Sequence, residues 1–161
     1  MAGIRVADEV WIATALLHRQ HPERDDFAVG EIVRRAEAER VTGEGRLRPG
    51  VQVHAYLHCV ANRAPNPGRY RMLVETTKGR RRLFRPGDPC HPLRASGKDV
   101  PEAREIPPAY VALLEWYRRD YVRTNGGQDD DPILALRGMG KAIWAQEDAD
   151  AYVERLREGW R

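Results

Sequence analysis

The sequence predicts a mainly α protein with one small β-hairpin, an α+β fold. Three observations carry this expectation. Apolar residues recur at helical spacing in the first forty positions and again near 110–122. The stretch Arg48–Asp88 reads as a helix, a Pro/Gly-rich joint and a strand–turn–strand hairpin. The last thirty residues carry many apolar groups behind a Gly/Asp-rich break.

The first helix is expected over Ala7–Gln20. Val10, Ala13, Leu16 and Leu17 share a face, Trp11 and Ile12 widen it, and Asp8 is placed to cap its first turn. Pro22 lies just beyond its end. Phe27–Val29 reads as a very short strand or as the start of the next helix. That helix is expected over Glu31–Glu39, with Ile32, Val33 and Ala36 inward and Glu31 spaced to pair with Arg35. The segment 42–50, with three glycines and a proline, redirects the chain.

Helix 3 is expected over Val51–Ala61, with Val53, Leu57 and Val60 inward and Tyr56 beside them. Gln52, His54, Ala55, His58, Asn62 and Arg63 then fall on the outer side, which carries no acidic residue. Gln and Asn pair well with adenine edges and Arg with guanine. An ordinary amphipathic helix is the plain alternative. The position of this helix, after a helix and a turn and before a basic hairpin, favours recognition. The prolines of Ala64–Gly68 end it.

Tyr70–Thr76 and Arg81–Arg85 read as strands around a Thr77–Gly79 turn, where Gly79 can supply the positive φ of a tight hairpin. Lys78, Arg80, Arg81 and Arg82 form a cationic tip suited to phosphate, unless they only protect a sheet edge. Helix, joint and basic hairpin together predict a winged helix-turn-helix domain. Its DNA-binding residues would be Arg48, Gln52, His54, Ala55, His58, Asn62, Arg63, Lys78, Arg80, Arg81 and Arg82.

Pro86–Pro108 contains six prolines and reads as an extended strap. The helix Tyr110–Val122 follows, with Val111, Leu114, Tyr117 and Tyr121 on one face. It closes the core or forms a dimer contact, and core packing is the favoured use of such an aromatic stripe. The expected organisation is a winged-helix domain over 1–123, an acidic Gly-rich linker over 124–131, and a partner-binding, extended helical tail over 132–161. The tail contains a glycine-broken segment, Ile133–Trp144, and a helix, Asp148–Gly159.

Charge agrees with two partners. Residues 30–98 hold 15 Lys/Arg against 6 Asp/Glu, whereas 126–161 hold 5 against 8. Only three of the 27 basic residues are lysine, which a GC-rich genome would also produce. Two cysteines do not make a disulfide scaffold, and no apolar run approaches the ~20 residues of a membrane span, so a cytoplasmic protein is expected. His54, His58 and Cys59, with Cys90 and His91 later, could suggest zinc but lack paired ligand spacing, and surface or DNA-facing histidines are preferred. Asp129–Asp131 in a Gly-rich setting read as a solvated linker, not a nuclease site. No cofactor and no catalytic residue is expected.

Two strings resemble known families. VANRAPNPGRYRMLVETTKGRRRLFRPGDPCHP resembles the signature of a widespread family of uncharacterised prokaryotic winged-helix proteins, a likeness that extends over about residues 6–122. DPILALRGMGKAIWAQEDADAYVERLREGW resembles the C-terminal segment of small antitoxins encoded beside PIN-domain ribonuclease toxins. Leu136, Arg137, Gly138, Gly140, Lys141, Trp144, Asp148, Tyr152, Val153, Leu156, Arg157 and Trp160 carry that likeness. It implies a DNA-binding autorepressor whose tail neutralises a PIN-domain toxin. Arg137 and Lys141 would be aimed at the toxin's acidic metal cluster, and Leu136, Trp144, Tyr152, Leu156 and Trp160 would anchor the tail. Double-stranded operator DNA is the second implied partner, and two-fold operators would suit a homodimer. The alternative is a winged-helix regulator or protein-interaction module with no toxin.

Overall fold

The computed structural model describes residues 3–43, 48–65 and 67–125, with side chains to 123. The chain divides into two units, Met1–Val122 and Arg123–Arg161. The expected tail and its residues Leu136, Arg137, Lys141, Trp144, Tyr152, Leu156 and Trp160 lie outside the described residues, as does most of the expected linker.

The first unit runs α1 (Val6–Gln20), β1 (Phe27–Ala28), α2 (Val29–Glu39), α3 (Gly50–Val53, continued by a π-helical turn His54–His58), β2 (Leu73–Glu75) and β3 (Arg80–Leu83). Short 3₁₀ turns follow at Pro92–Arg94, Ala103–Glu105 and Pro108–Tyr110. The last helix of this unit is α4 (Val111–Trp116), prolonged by a second π turn (Tyr117–Tyr121); α5 (Val122–Asn125) lies at the boundary, with Arg123–Asn125 in the second unit. The three strands form an antiparallel sheet in the order β1-β3-β2. The fold is α+β.

α1 is the central post of the core. Val10, Trp11, Ile12, Ala13 and Ala15 are all buried, because helices, sheet and α4 surround it. Asp8 does not cap it. The helix begins at Val6 behind Arg5, and Asp8 sits buried in the first turn, where its carboxylate meets Lys98 at 3.0 Å. α2 starts directly after β1, so the two readings of Phe27–Val29 are both realised. Glu31 accepts the Ala28 N–H (2.8 Å) and a bidentate pair from Arg24 (2.8 and 2.9 Å). That bond with Arg24 holds its carboxyl down at about 2. Glu31 therefore does not pair with Arg35, which bridges to Glu39 at 3.1 Å instead.

α3 is shorter than expected and rotated. Val51, Ala55 and Cys59 are fully buried, while Val53 and Tyr56 are 46% exposed. Of the residues expected inward, Val60 is buried and Leu57 half-buried, but Val53 is exposed: of two apolar sets at i,i+4 spacing, the smaller, Val51, Ala55 and Cys59, faces inward. Their short side chains let the helix approach α1, and the i→i+5 bonding of the π turn keeps Ala55 and Cys59 on that side. Past Cys59 the chain bonds to the start of β2: the N–H groups of Met72 and Leu73 donate to Cys59 O, and Ala61 N–H donates to Leu73 O.

The strap is stitched in place. Arg94 is fully buried and donates to the carbonyls of Leu57, His58, Arg63, Ala64 and Tyr70. One guanidinium thus closes the C-terminal end of α3 and the loop that follows. Gly97 packs so close that a Cβ there would lie 1.7 Å from Arg69 O. α4 is a core helix, with Leu113, Leu114, Tyr117 and Tyr121 buried. Tyr117 and Tyr121 donate their hydroxyls to the carbonyls of Phe84 and Leu83, at and just beyond the end of β3.

Candidate nucleic-acid interface

The outer face of α3 carries Gln52, Val53 and Tyr56, all exposed. Gln52 and Tyr56 are one turn apart, as are Val53 and Tyr56, so the three make one patch. Ala55, expected on this face, is instead fully buried on the core side of the helix. His54 and His58 are half-buried with ring centroids 4.9 Å apart. His54 Nδ1 lies 2.9 Å from Gly50 O, which can only accept, so this nitrogen carries the proton. Burial also holds the His54 pKa below its ordinary value.

The cations expected to meet DNA mostly meet carboxylates of the same chain. Arg48 binds Glu9 and Ile4 O, which fixes the start of α3 to α1. Arg63 pairs with Glu75 at 2.7 Å and lies over the Tyr56 ring at 5.2 Å. Asn62 exchanges two bonds with the Glu75 backbone, donating to its carbonyl at 3.0 Å and accepting its N–H at 2.9 Å. Its amide stands in for a strand partner, so it is not offered to a base.

The hairpin turns at Thr77–Gly79, with Gly79 at φ 77°. Arg80 donates to Asp26 at 2.6 Å and Thr76 joins the same carboxylate at 2.6 Å. The bond with Arg80 holds Asp26 below the usual carboxylate range. Arg82 grips Asp88 bidentately at 2.6 and 2.7 Å. Arg81 is fully buried, paired with Glu75 at 2.8 Å and donating to Tyr56 O at 3.0 Å. It is not part of a cationic tip. Successive strand residues alternate sides, and Arg81 shares the inward side with Leu83. Lys78 alone of the four is exposed without an ion pair or hydrogen bond among the described residues.

No family model matches the chain, and no curated protein or solved structure matches it either.

Two features of this surface escaped the sequence. Val53 and Tyr56 are outward because their helix turns by its smaller face. Glu75 joins α3, the loop and β3 through Arg63, Arg81 and Asn62. A signal for the second existed: among the described residues, Glu75 is the one acid between Asp26 and Asp88 that lies in a strand beside an arginine run. Among the described residues no group of three His, Cys, Asp or Glu could hold a metal. Cys59 is fully buried, which pushes its thiol up and away from reactivity. No helix among the described residues is long and apolar enough to cross a membrane.

Proposed function

We propose that the unit Met1–Val122 is a winged-helix DNA-binding module and that the chain is a non-enzymatic autorepressing antitoxin. The observation that carries the DNA-binding part is the order of elements. A helix, a short strand, two helices and a hairpin, with the hairpin's second strand paired to the short strand, is an order that supports the winged-helix reading. In such a module α3 is the reading helix and the β2–β3 hairpin is the wing. The contact set is Gln52, Val53 and Tyr56 on α3 with Lys78 at the wing tip. The toxin-neutralising part rests on the likeness of residues 132–161 to antitoxin tails.

With one unpaired lysine on the wing, the module should bind DNA modestly and with a shallow salt dependence, since each phosphate neutralised adds a slope of about −0.9. The test is fluorescence anisotropy of the full chain on DNA from upstream of its own reading frame. Binding that weakens with salt and with Lys78→Ala supports the module. No binding at low salt contradicts it. Co-purification with a PIN-domain protein encoded next door tests the antitoxin part separately.

A second reading has its own support. Val53 and Tyr56 are exposed apolar groups, and most nearby cations are internally paired, as on a surface that meets protein. A protein-interaction module would leave anisotropy unchanged with any duplex. It would lose its partner when Val53 and Tyr56 are replaced by serine.

A further inference from the structure

We infer that the exposed α3 face selects an A·T base pair, with Gln52 on adenine and Val53 against the thymine methyl. This rests on the DNA-binding reading of the same face.

The face lacks long cationic side chains. From Pro49 to Asn62 the sequence contains no Arg or Lys. The two arginines that flank this stretch are held elsewhere, Arg48 on buried Glu9 and Arg63 on Glu75. A guanine presents only acceptors, N7 and O6, to the major groove, and the usual donor for both is Arg or Lys. His54 does not replace them, because its Nδ1 proton is committed to Gly50 O. Asn62 is likewise occupied by the Glu75 backbone.

What the face does offer suits the other pair. A glutamine amide has one donor and one acceptor side by side, which matches the N7 acceptor and N6 donor of adenine. Gln52 is exposed and has no hydrogen-bond partner among the described residues. Its neighbour Val53 presents a branched apolar group, 46% exposed, and the thymine C5-methyl is the one apolar feature in the groove. Tyr56 borders both, and its ring is held near the guanidinium groups of Arg63 and Arg81, 5.2 and 5.5 Å away. The patch is therefore backed by packed residues and does not depend on loose side chains.

The experiment is selection by the full chain from a random-sequence duplex pool. The recovered site is then remade with deoxyuridine for thymidine, which removes only the methyl group. Recovered sites should share an A·T pair. The deoxyuridine site and the Val53→Ala protein should each bind several-fold more weakly, and Gln52→Ala should reduce discrimination against G·C at that pair by about tenfold. Sites rich in G·C, or an unchanged preference in Gln52→Ala, overturn this inference and leave the DNA-binding reading standing. Retention of the pool without enrichment does the same. If no duplex is retained, both fall.

Discussion

Arg94 shows how much of the fold hangs on single side chains. It is a fully buried arginine whose bonds go to five carbonyl oxygens and to no carboxylate. A five-donor planar group can serve several acceptors at once, which lysine cannot. Arg94→Ala should therefore leave those carbonyls unpaired and lower stability by roughly 3 kcal/mol or more, with Arg94→Lys recovering only part. Urea denaturation of the three proteins checks this, and an unchanged midpoint in Arg94→Ala would refute it. His18 is the second such residue. It is buried between Phe27 and Tyr121, accepts the Leu83 N–H, and is held neutral down to about 3, chiefly by burial and then by the nearby Arg85 and Arg82. Below its ordinary value of 6.5 the unfolded chain takes up a proton that the folded chain refuses. Stability should thus fall as the pH drops from 6.5 toward 3, by up to about 1.4 kcal/mol per unit from this group. His18→Gln should flatten that part of the pH–stability curve; identical slopes would contradict the assignment. Neither role was legible in the sequence. Arg94 sits in a proline-rich stretch with no periodicity, and its acceptors come from positions 57 to 70.

At the scale of elements, helices and hairpin were legible because their apolar periods and turn residues are local. α1, α2, the hairpin turn at Gly79 and the packing role of the 111–121 helix follow from spacing alone. The orientation of α3 did not. Val51–Ala55–Cys59 and Val53–Leu57 obey the same spacing, and choosing between them requires knowing that α1 comes close. The hairpin's cations depart from the expected cationic tip for a related reason. Arg82 pairs locally with Asp88, but the partners of Arg80 and Arg81, Asp26 and Glu75, lie across a strand pair or a loop, so those pairings are set by sheet order and not by sequence neighbours. This gives a test of the wing. Asp26→Asn should weaken the Arg80 tether at a small cost in stability, since both groups are partly exposed. It should steepen the salt slope of DNA binding by about 0.9, one phosphate contact. No change in slope would mean that the hairpin does not approach phosphate. Arg81→Ala should behave differently, destabilising the fold, because it leaves Glu75 short of its buried partner.

At the scale of the molecule, the chain divides at Val122, near the Gly/Asp-rich stretch that the sequence marks as a break. Deleting Pro132–Arg161 should spare DNA binding and abolish capture of a PIN-domain partner; neutralisation retained by the shortened chain would remove the tail from the account. Composition alone overstated the electrostatic case. The +9 excess of residues 30–98 is partly answered by Glu9 and Asp8 on α1 and by Asp26, all outside that window. Exposed Arg34, Arg40 and Arg69 and the wing-tip Lys78 keep part of that excess on the surface. The most direct test is to titrate the isotopically labelled full chain with upstream duplex DNA and follow backbone amide shifts. The expected result is a set of changes centred on Gln52–Tyr56 and on Thr77–Gly79, with α4 unaffected. Shifts centred on α4 or on the strap, or none at all, would contradict the central claim that α3 and the hairpin form a DNA-binding face.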